Sequence, residues 1–434
     1  MDLRERGRAS RIVRREGGGV MRLRCDIAVL GAGIAGVSAA LEAARLGRKV
    51  ALIDGAPQLG GQSVASVIGT FCGLYSNGPE PYQVTHGIAD GILRDLGAEG
   101  ALHPIRGRRN TIIVQYREQA LARWIERQVA AAGIMPILSA LLVSVRREGR
   151  RIRGLDLATR FGMLEVEAAG FVDASGDAAL AWTAGLPCRE PQEPIFGTQI
   201  LVIEDFDEEA LAGIDRAELQ ARLAAKADRH GLLRHDGFVF ATPGKGTALV
   251  NMTHAETPLD PVGLARAQAA GREQGDRLLD FLRAEYPAAF DAARVRTYGQ
   301  IGIRQTRWIV GRHHLTVDEV RQGYRHPDAV GRCSWPIELH DRADGVYWEE
   351  FGDGHMHWIP LGAMIPPDID NLVAAGRCID GDPAGLSSVR VMGPCIAMGA
   401  AAAHALDLAG SGAVAQIDIG RLQARLHDNL ERRD

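Results

Sequence analysis

Short apolar runs and amphipathic stretches follow one another along much of this chain, as in a parallel sheet whose strands are joined by helices. Ile27, Val29 and Leu30 form the first run, which ends on a glycine cluster. Helical spacing follows at Val37, Leu41 and Ala44, with a stop at Leu46-Gly47, and a second strand is predicted over Lys49–Ile53. Leu121, Trp124, Ile125, Val129 and Ala132 share one face of a helix predicted over Glu118–Gly133. A strand from Ile134 to Leu138 and then a β-meander come next, with turns at Glu148-Gly149 and Phe161-Gly162. Phe171–Asp177 reads as a buried strand entering a Gly-Asp turn, where Asp173 and Asp177 serve first as turn caps. Beyond the prolines at 187, 191 and 194 the texture shifts to longer helical and polar segments, which predicts an inserted unit over 191–360. Glycine-rich character then returns with a strand at Asn371–Arg377 and an alanine-rich helix from about Pro394 to Leu408. Pro394 suits an early helical position, where no N–H donor is needed.

The glycine cluster is G-x-G-x-x-G at Gly31, Gly33 and Gly36, between a strand and a helix, with Asp54 closing the next strand. Gly31 permits the tight turn, Gly33 lets backbone approach a pyrophosphate, and Gly36 lets the helix pack on the strand. The helix N-terminus offers unpaired N–H groups to the phosphates, and Asp54 is placed to accept from a ribose diol. Strand, glycines, helix, strand and acid together predict dinucleotide binding. They leave FAD and NAD open, and Gly60-Gly61-Gln62-Ser63 is either the continuation of an FAD site or a plain glycine turn. No second fingerprint and no internal repeat occur. The expected fold class is therefore α/β. A Rossmann-like domain (21–190 and 361–412) with a meander carries an inserted α+β unit (191–360), and 413–434 forms a helical tail. Residues 1–20 are Arg-rich, end in three glycines, and read as a disordered tail or an over-long start before Met21.

Composition narrows the classes. Fifty Lys+Arg against 54 Asp+Glu give a net charge of -4, so nothing favours a nucleic-acid partner or an anionic membrane. Lysine occurs only at 49, 226 and 245, and the abundant arginine suits carboxylate and phosphate recognition. The most apolar stretch, Gly393–Gly410, contains His404 and Asp407, so no membrane insertion is expected. Cys25, Cys72, Cys188, Cys333, Cys378 and Cys395 form no C-x-x-C pair, which argues against zinc ribbons, iron–sulfur ligation and redox pairs. Reduced thiols in a cytoplasmic protein are expected.

From about Met21 to Gly410 the chain resembles the FAD-dependent oxidoreductases with a glutathione-reductase-type FAD fold. The likeness rests on Gly31, Gly33, Gly36 and Asp54, on Gly60-Gly61, on Asp173 to Asp177, on Gly302 to Arg307, and on Asn371 to Pro394. Ser175 stands where relatives often have threonine. The resemblance implies non-covalent FAD, with the adenosine ribose on Asp54 and the flavin pyrimidine near Met392–Cys395. It implies contacts from Gly31, Gly33, Ala35, Gly36, Asp54, Gly61, Gln62, Val143, Ser175, Gly176, Gly376, Arg377, Arg390, Met392 and Pro394.

Substrate chemistry is expected in 302–360. Arg304 and Arg307, three apart, either clamp a substrate carboxylate or pair with acids such as Asp318 or Glu319. His340 is the favoured proton-transfer base, with His355 and His357 as companions. No metal site is expected, His355 and His357 lacking a suitably spaced third ligand. Trp335, Tyr347, Trp348 and Trp358 are either pocket walls or core. The expected activity is hydride transfer between FAD and a small anionic substrate, a carboxylate or an amine. The electron acceptor, oxygen or a carrier, is left open, as is homo-oligomerisation. The alternatives are a flavin monooxygenase and an electron-transfer subunit without substrate chemistry of its own.

Overall fold

The computed structural model describes residues 20–107, 111–244 and 246–433. Except for its last residue, the segment expected to form an N-terminal tail lies outside them. Five parallel strands form the central sheet: β1 (Ile27–Leu30), β2 (Val50–Ile53), β3 (Met135–Ile137), β4 (Gly170–Asp173) and β5 (Leu372–Ala374), in the order β5-β4-β1-β2-β3. Every residue of β1, β2, β4 and β5 is buried, which is why these strands read as apolar runs, β4 up to its terminal Asp173. Helix α1 (Ile34–Arg45) follows the glycine turn and lies on one face. Helix α2 (Met392–Ala409) packs on α1 closely enough for the Ser38 hydroxyl to donate to the Ile396 carbonyl at 2.7 Å. By length and composition α2 would span a membrane, but 78% of it is buried inside the molecule, so it is a core helix.

The other face carries the meander, Ala140–Glu148, Arg151–Thr159 and Gly162–Glu167, with a second core between it and the sheet. Met21–Arg24 extends the meander as a parallel edge strand with Met21 opposite Leu164. This strand was not anticipated, because two of its four residues are arginines and its apolar content is too small to register.

The inserted unit is smaller than expected. The chain leaves at Thr198 and returns at Gly302, two residues that bridge to each other. Between them an antiparallel sheet of Phe238–Ala241, Ala248–Asn251, Leu201–Glu204 and Arg294–Tyr298 is backed by the long helix Pro261–Glu285 around its own core. Residues such as Trp308, Leu315, Val330, Trp335 and Ile359 instead share the core of α1 and α2, as do Leu422, Leu426 and Leu430 of the tail. Most of 308–360 therefore packs with the dinucleotide-binding part, a division that no proline cluster or compositional change marks.

Candidate functional site

One continuous cavity of about 650 Å³ opens at the carboxyl ends of β1, β4 and β5 and continues beneath the inserted sheet. Its outer part is built from backbone. Gly31 has φ +101°, and an added Cβ would run into the Ala174 carbonyl. Gly33, the N-cap of α1, faces the cavity with nothing within 4 Å of an added Cβ, so a side chain there would fill the cradle. Asp54 lines the same wall and ties the loop down, accepting from the Ala32 N–H at 2.6 Å and the Ala56 N–H at 2.7 Å. Gly61 (φ +51°) sits so close to Gly33 that a Cβ would lie 2.8 Å from its Cα. A glycine cradle, an open helix N-terminus and a carboxylate at the strand end fit FAD.

The opposite wall consists of Ser175, Gly176, Gly376 and Arg377, with Ala35, Gln62, Arg390 and Met392 farther along. Asp173 lies behind it, fully buried, where it accepts from the Ser175 hydroxyl at 2.6 Å and from the Leu180 and Ala181 N–H groups, both at 3.0 Å. Burial raises its pKa, and its role is to cap the turn. Asp177 borders the cavity and accepts from the Thr306 hydroxyl. Three residues expected at the cofactor stand back from the cavity. Gly36 lies one layer behind, where a Cβ would strike the Gly31 carbonyl. Pro394 packs behind the wall against Gly73. Val143 is 54% exposed on the meander, because strand alternation turns it outward with Leu141 while Ala140 points inward.

The inner compartment is built from side chains. Arg304, Arg390, Glu338, Trp335 and Trp348 border it, and Phe238 and Phe240 of the inserted sheet roof it. The two indoles meet edge-on at 5.7 Å, and Trp335 Nε1 donates to Glu338 Oε2 at 3.0 Å. Arg304 donates to the Phe196 carbonyl at 2.8 Å and Arg390 to the Glu338 carbonyl at 3.0 Å. Burial and the neighbouring cations weaken Arg304's hold on its proton, and burial brings Arg390 down to about 10. Arg307 does not join Arg304. It turns away to pair with Glu190 at 2.9 Å and to stack over Trp182.

His340 is buried behind Glu338 rather than exposed to the cavity. Its Nε2 lies 3.1 Å from Glu338 Oε1 and its Nδ1 lies 2.9 Å from His254 Nε2, while His254 Nδ1 faces the Ala343 carbonyl at 2.9 Å. The carbonyl can only accept, so His254 Nδ1 carries a proton, and each of the next two contacts needs one more. Two neutral imidazoles supply two protons for three contacts. A further proton therefore resides in the chain, next to the cavity-facing carboxyl. Burial, reinforced by Arg304, Arg234 and Arg390, holds the His340 pKa well below its ordinary range, and burial brings His254 down to about 2.

His355 and His357 are not brought to the cavity. They contact each other at 3.2 Å, His357 reaches the Ser388 hydroxyl at 2.9 Å, and burial pushes His357 down to about 3. Tyr347 is exposed and Trp358 lies elsewhere, so only Trp335 and Trp348 of the four aromatic candidates wall the compartment. Sequence reasoning missed Glu338 and His254. Glu338 stands two residues before His340, the alternation of a strand, which was a usable signal. His254 lies 86 positions away and gave none.

A family model described as FAD dependent oxidoreductase matches residues 26–426. No curated protein matches the sequence significantly. Among solved structures, a geranylgeranyl bacteriochlorophyll reductase-like protein from Thermoplasma acidophilum is 13% identical, with 94% of this chain and 83% of that chain covered and a TM-score of 0.49. A triple mutant of the flavin-dependent brominase Bmp2 is 15% identical, covering 93% and 84% with a TM-score of 0.48. PqsL from P. aeruginosa, in complex with 2-aminobenzoylacetate, is 15% identical, covering 94% and 93% with a TM-score of 0.46.

Proposed function

Since the chain belongs to the family of FAD-dependent oxidoreductases, we propose that it transfers a hydride between FAD and a small anionic organic substrate held in the inner compartment. Bound FAD supplies two-electron redox chemistry. The observation that carries this reading is the continuity of one cavity from the dinucleotide fingerprint to Arg304, Arg390, Glu338 and the two tryptophans. Two guanidinium groups against one carboxyl leave positive charge in excess, which favours a substrate carboxylate. Trp335 and Trp348 enclose the apolar body of the substrate and exclude water. Gly33, Gly61, Asp54 and the N-terminus of α1 hold the dinucleotide, and Arg377 and Met392 lie farther along the same cavity.

Removal of a hydride from a C–N, C–O or C–C bond leaves a proton to be taken up. Glu338 at the cavity wall would take it up once its own proton has been given to solvent, and in the reverse direction the protonated carboxyl would supply it; His340 accepts the carboxyl's hydrogen bond and His254 positions His340. Burial and the neighbouring arginines disfavour a charge on either imidazole.

Anaerobic mixing of the FAD-loaded protein with single carboxylates and amino acids, read as loss of flavin absorbance, tests the proposal. Bleaching by one of them without a nicotinamide supports it. Bleaching by NAD(P)H alone, followed by an oxygenated product in air, replaces it with the monooxygenase reading. No bleaching by either class leaves the electron-transfer reading.

A further inference from the structure

Away from the cavity, the segment from Leu315 to Gln322 packs beside the helix Pro383–Val389 that leads to Arg390 and α2. The Val317 N–H donates to Asp382 Oδ2 at 2.6 Å, and Leu315 and Asp380 meet through backbone at 3.3 Å. His313, Glu319 and His326 converge beside this junction. His313 Nε2 lies 3.1 Å from Glu319 Oε1, and one ligand atom from each of the three residues falls within 4.8 Å of the others. The two imidazole rings stand edge-to-face at 4.8 Å and 70°.

His326 supplies an independent observation. It is only 4% exposed, yet its Nε2 has no hydrogen-bond partner. A buried ring nitrogen without a partner is unusual, because desolvation goes uncompensated. It lies in the same cluster as a second imidazole and a carboxylate. We propose that His313, Glu319 and His326 form a binding site for a divalent transition-metal cation of the zinc type, separate from the dinucleotide cavity.

The donor chemistry sets the class of ion. Two imidazoles and one carboxylate suit zinc and its neighbours, whereas magnesium and calcium select oxygen ligands. Tetrahedral donors at about 2.0–2.2 Å from zinc lie about 3.4 Å apart, so closing this cluster around an ion needs only small side-chain movements. Glu319 is already aimed. Its Oε2 accepts from the Thr316 N–H at 2.8 Å as part of a capping box, which holds the carboxylate with Oε1 at 3.1 Å and Oε2 at 3.2 Å from His313 Nε2. Such outer hydrogen bonds orient a ligating carboxylate. Partial exposure of His313 gives the ion a path in, and three protein ligands leave a fourth position for water. All three ligands come from one stretch of 14 residues, so bound metal would brace the 313–326 segment against the helix that feeds the flavin end of the cavity.

The test uses the full-length, FAD-loaded protein, stripped with a chelator and titrated calorimetrically with Zn²⁺. Uptake of one equivalent per chain is expected, with a rise in melting temperature. His313→Gln and His326→Gln should each weaken that binding at least tenfold while FAD content stays unchanged. Glu319→Gln keeps a residue able to complete the capping box, so it separates loss of a charged ligand from loss of the helix cap. It too should weaken binding at least tenfold. A tenfold excess of Mg²⁺ should not compete. No stoichiometric uptake by the parent protein, or equal uptake by the parent and the histidine variants, would overturn the proposal. Neither result would bear on the flavin-bleaching test.

Discussion

The two ends of the cavity are made from different materials. The dinucleotide end is a backbone construction of glycines with left-handed φ, a helix N-terminus and one carboxylate that is itself tied to backbone N–H groups. The inner end is a side-chain construction: two arginines, two indoles and a buried Glu338–His340–His254 chain, drawn from segments far apart in sequence. A backbone cradle tolerates little change in shape but does not depend on protonation state. A side-chain compartment keeps its shape through conservative replacements, yet one missing proton disables it. Substitutions at the two ends should therefore fail in different ways.

The largest effect is expected at Gly31. Valine there combines a forbidden φ with overlap on the Ala174 carbonyl and should cost about 3–5 kcal/mol, read by denaturant unfolding. A stability within 1 kcal/mol of the parent would break the contrast at its strongest point. Glu338→Gln comes next. Glutamine can donate its amide N–H to His340 and so preserve the hydrogen-bonded chain without its transferable proton. Turnover should fall by about 10²–10³-fold at unchanged flavin content, and retention of activity would remove Glu338 from the proton path.

Two smaller tests follow. Gly33→Ala adds a methyl where there is open space, so the unfolding midpoint should hold while flavin affinity falls by about tenfold. If flavin is retained at full affinity, the cradle lies elsewhere. Arg304→Met should raise KM for a carboxylate substrate by about tenfold or more, with less effect on kcat. An unchanged KM would leave the anion to Arg390 alone.

The last test concerns pH. His357 is held down to about 3 in the fold against an ordinary value of 6.5, so the unfolded chain binds its proton first. Its contribution to stability is complete above pH 6.5 and is lost as pH falls toward 3. His357→Gln should flatten the acid side of the stability profile by about 1.4 kcal/mol per pH unit at most. Identical profiles would show that this imidazole is not held neutral.

The same contrast explains what could be read from the sequence. Gly31, Gly33, Gly36 and Asp54 announce themselves because a backbone cradle needs certain residues at fixed spacing within one βαβ unit. The parallel strands were legible for a similar reason, since burial on both faces leaves an unbroken apolar run. The compartment offered no such local rule. His340 was recognisable as chemistry-bearing, but nothing nearby revealed that Glu338 would stand between it and the cavity or that His254 would complete the chain. Arg304 and Arg307 look like a pair when spaced as on a helix, yet the irregular backbone there sends them to opposite duties. The return of 308–360 to the main core was equally hidden, because its apolar residues would serve either core.

The hydrogen bond from the Ser38 hydroxyl to the Ile396 carbonyl joins positions 358 residues apart. At translation rates of roughly 5–20 residues per second, the opening helix waits on the order of tens of seconds for its partner to leave the ribosome. The cavity wall, which includes Ala375–Arg377 and Arg390–Met392, is complete only near the end of synthesis, and the nascent chain must keep the exposed apolar side of its first βαβ unit from aggregating in the interval.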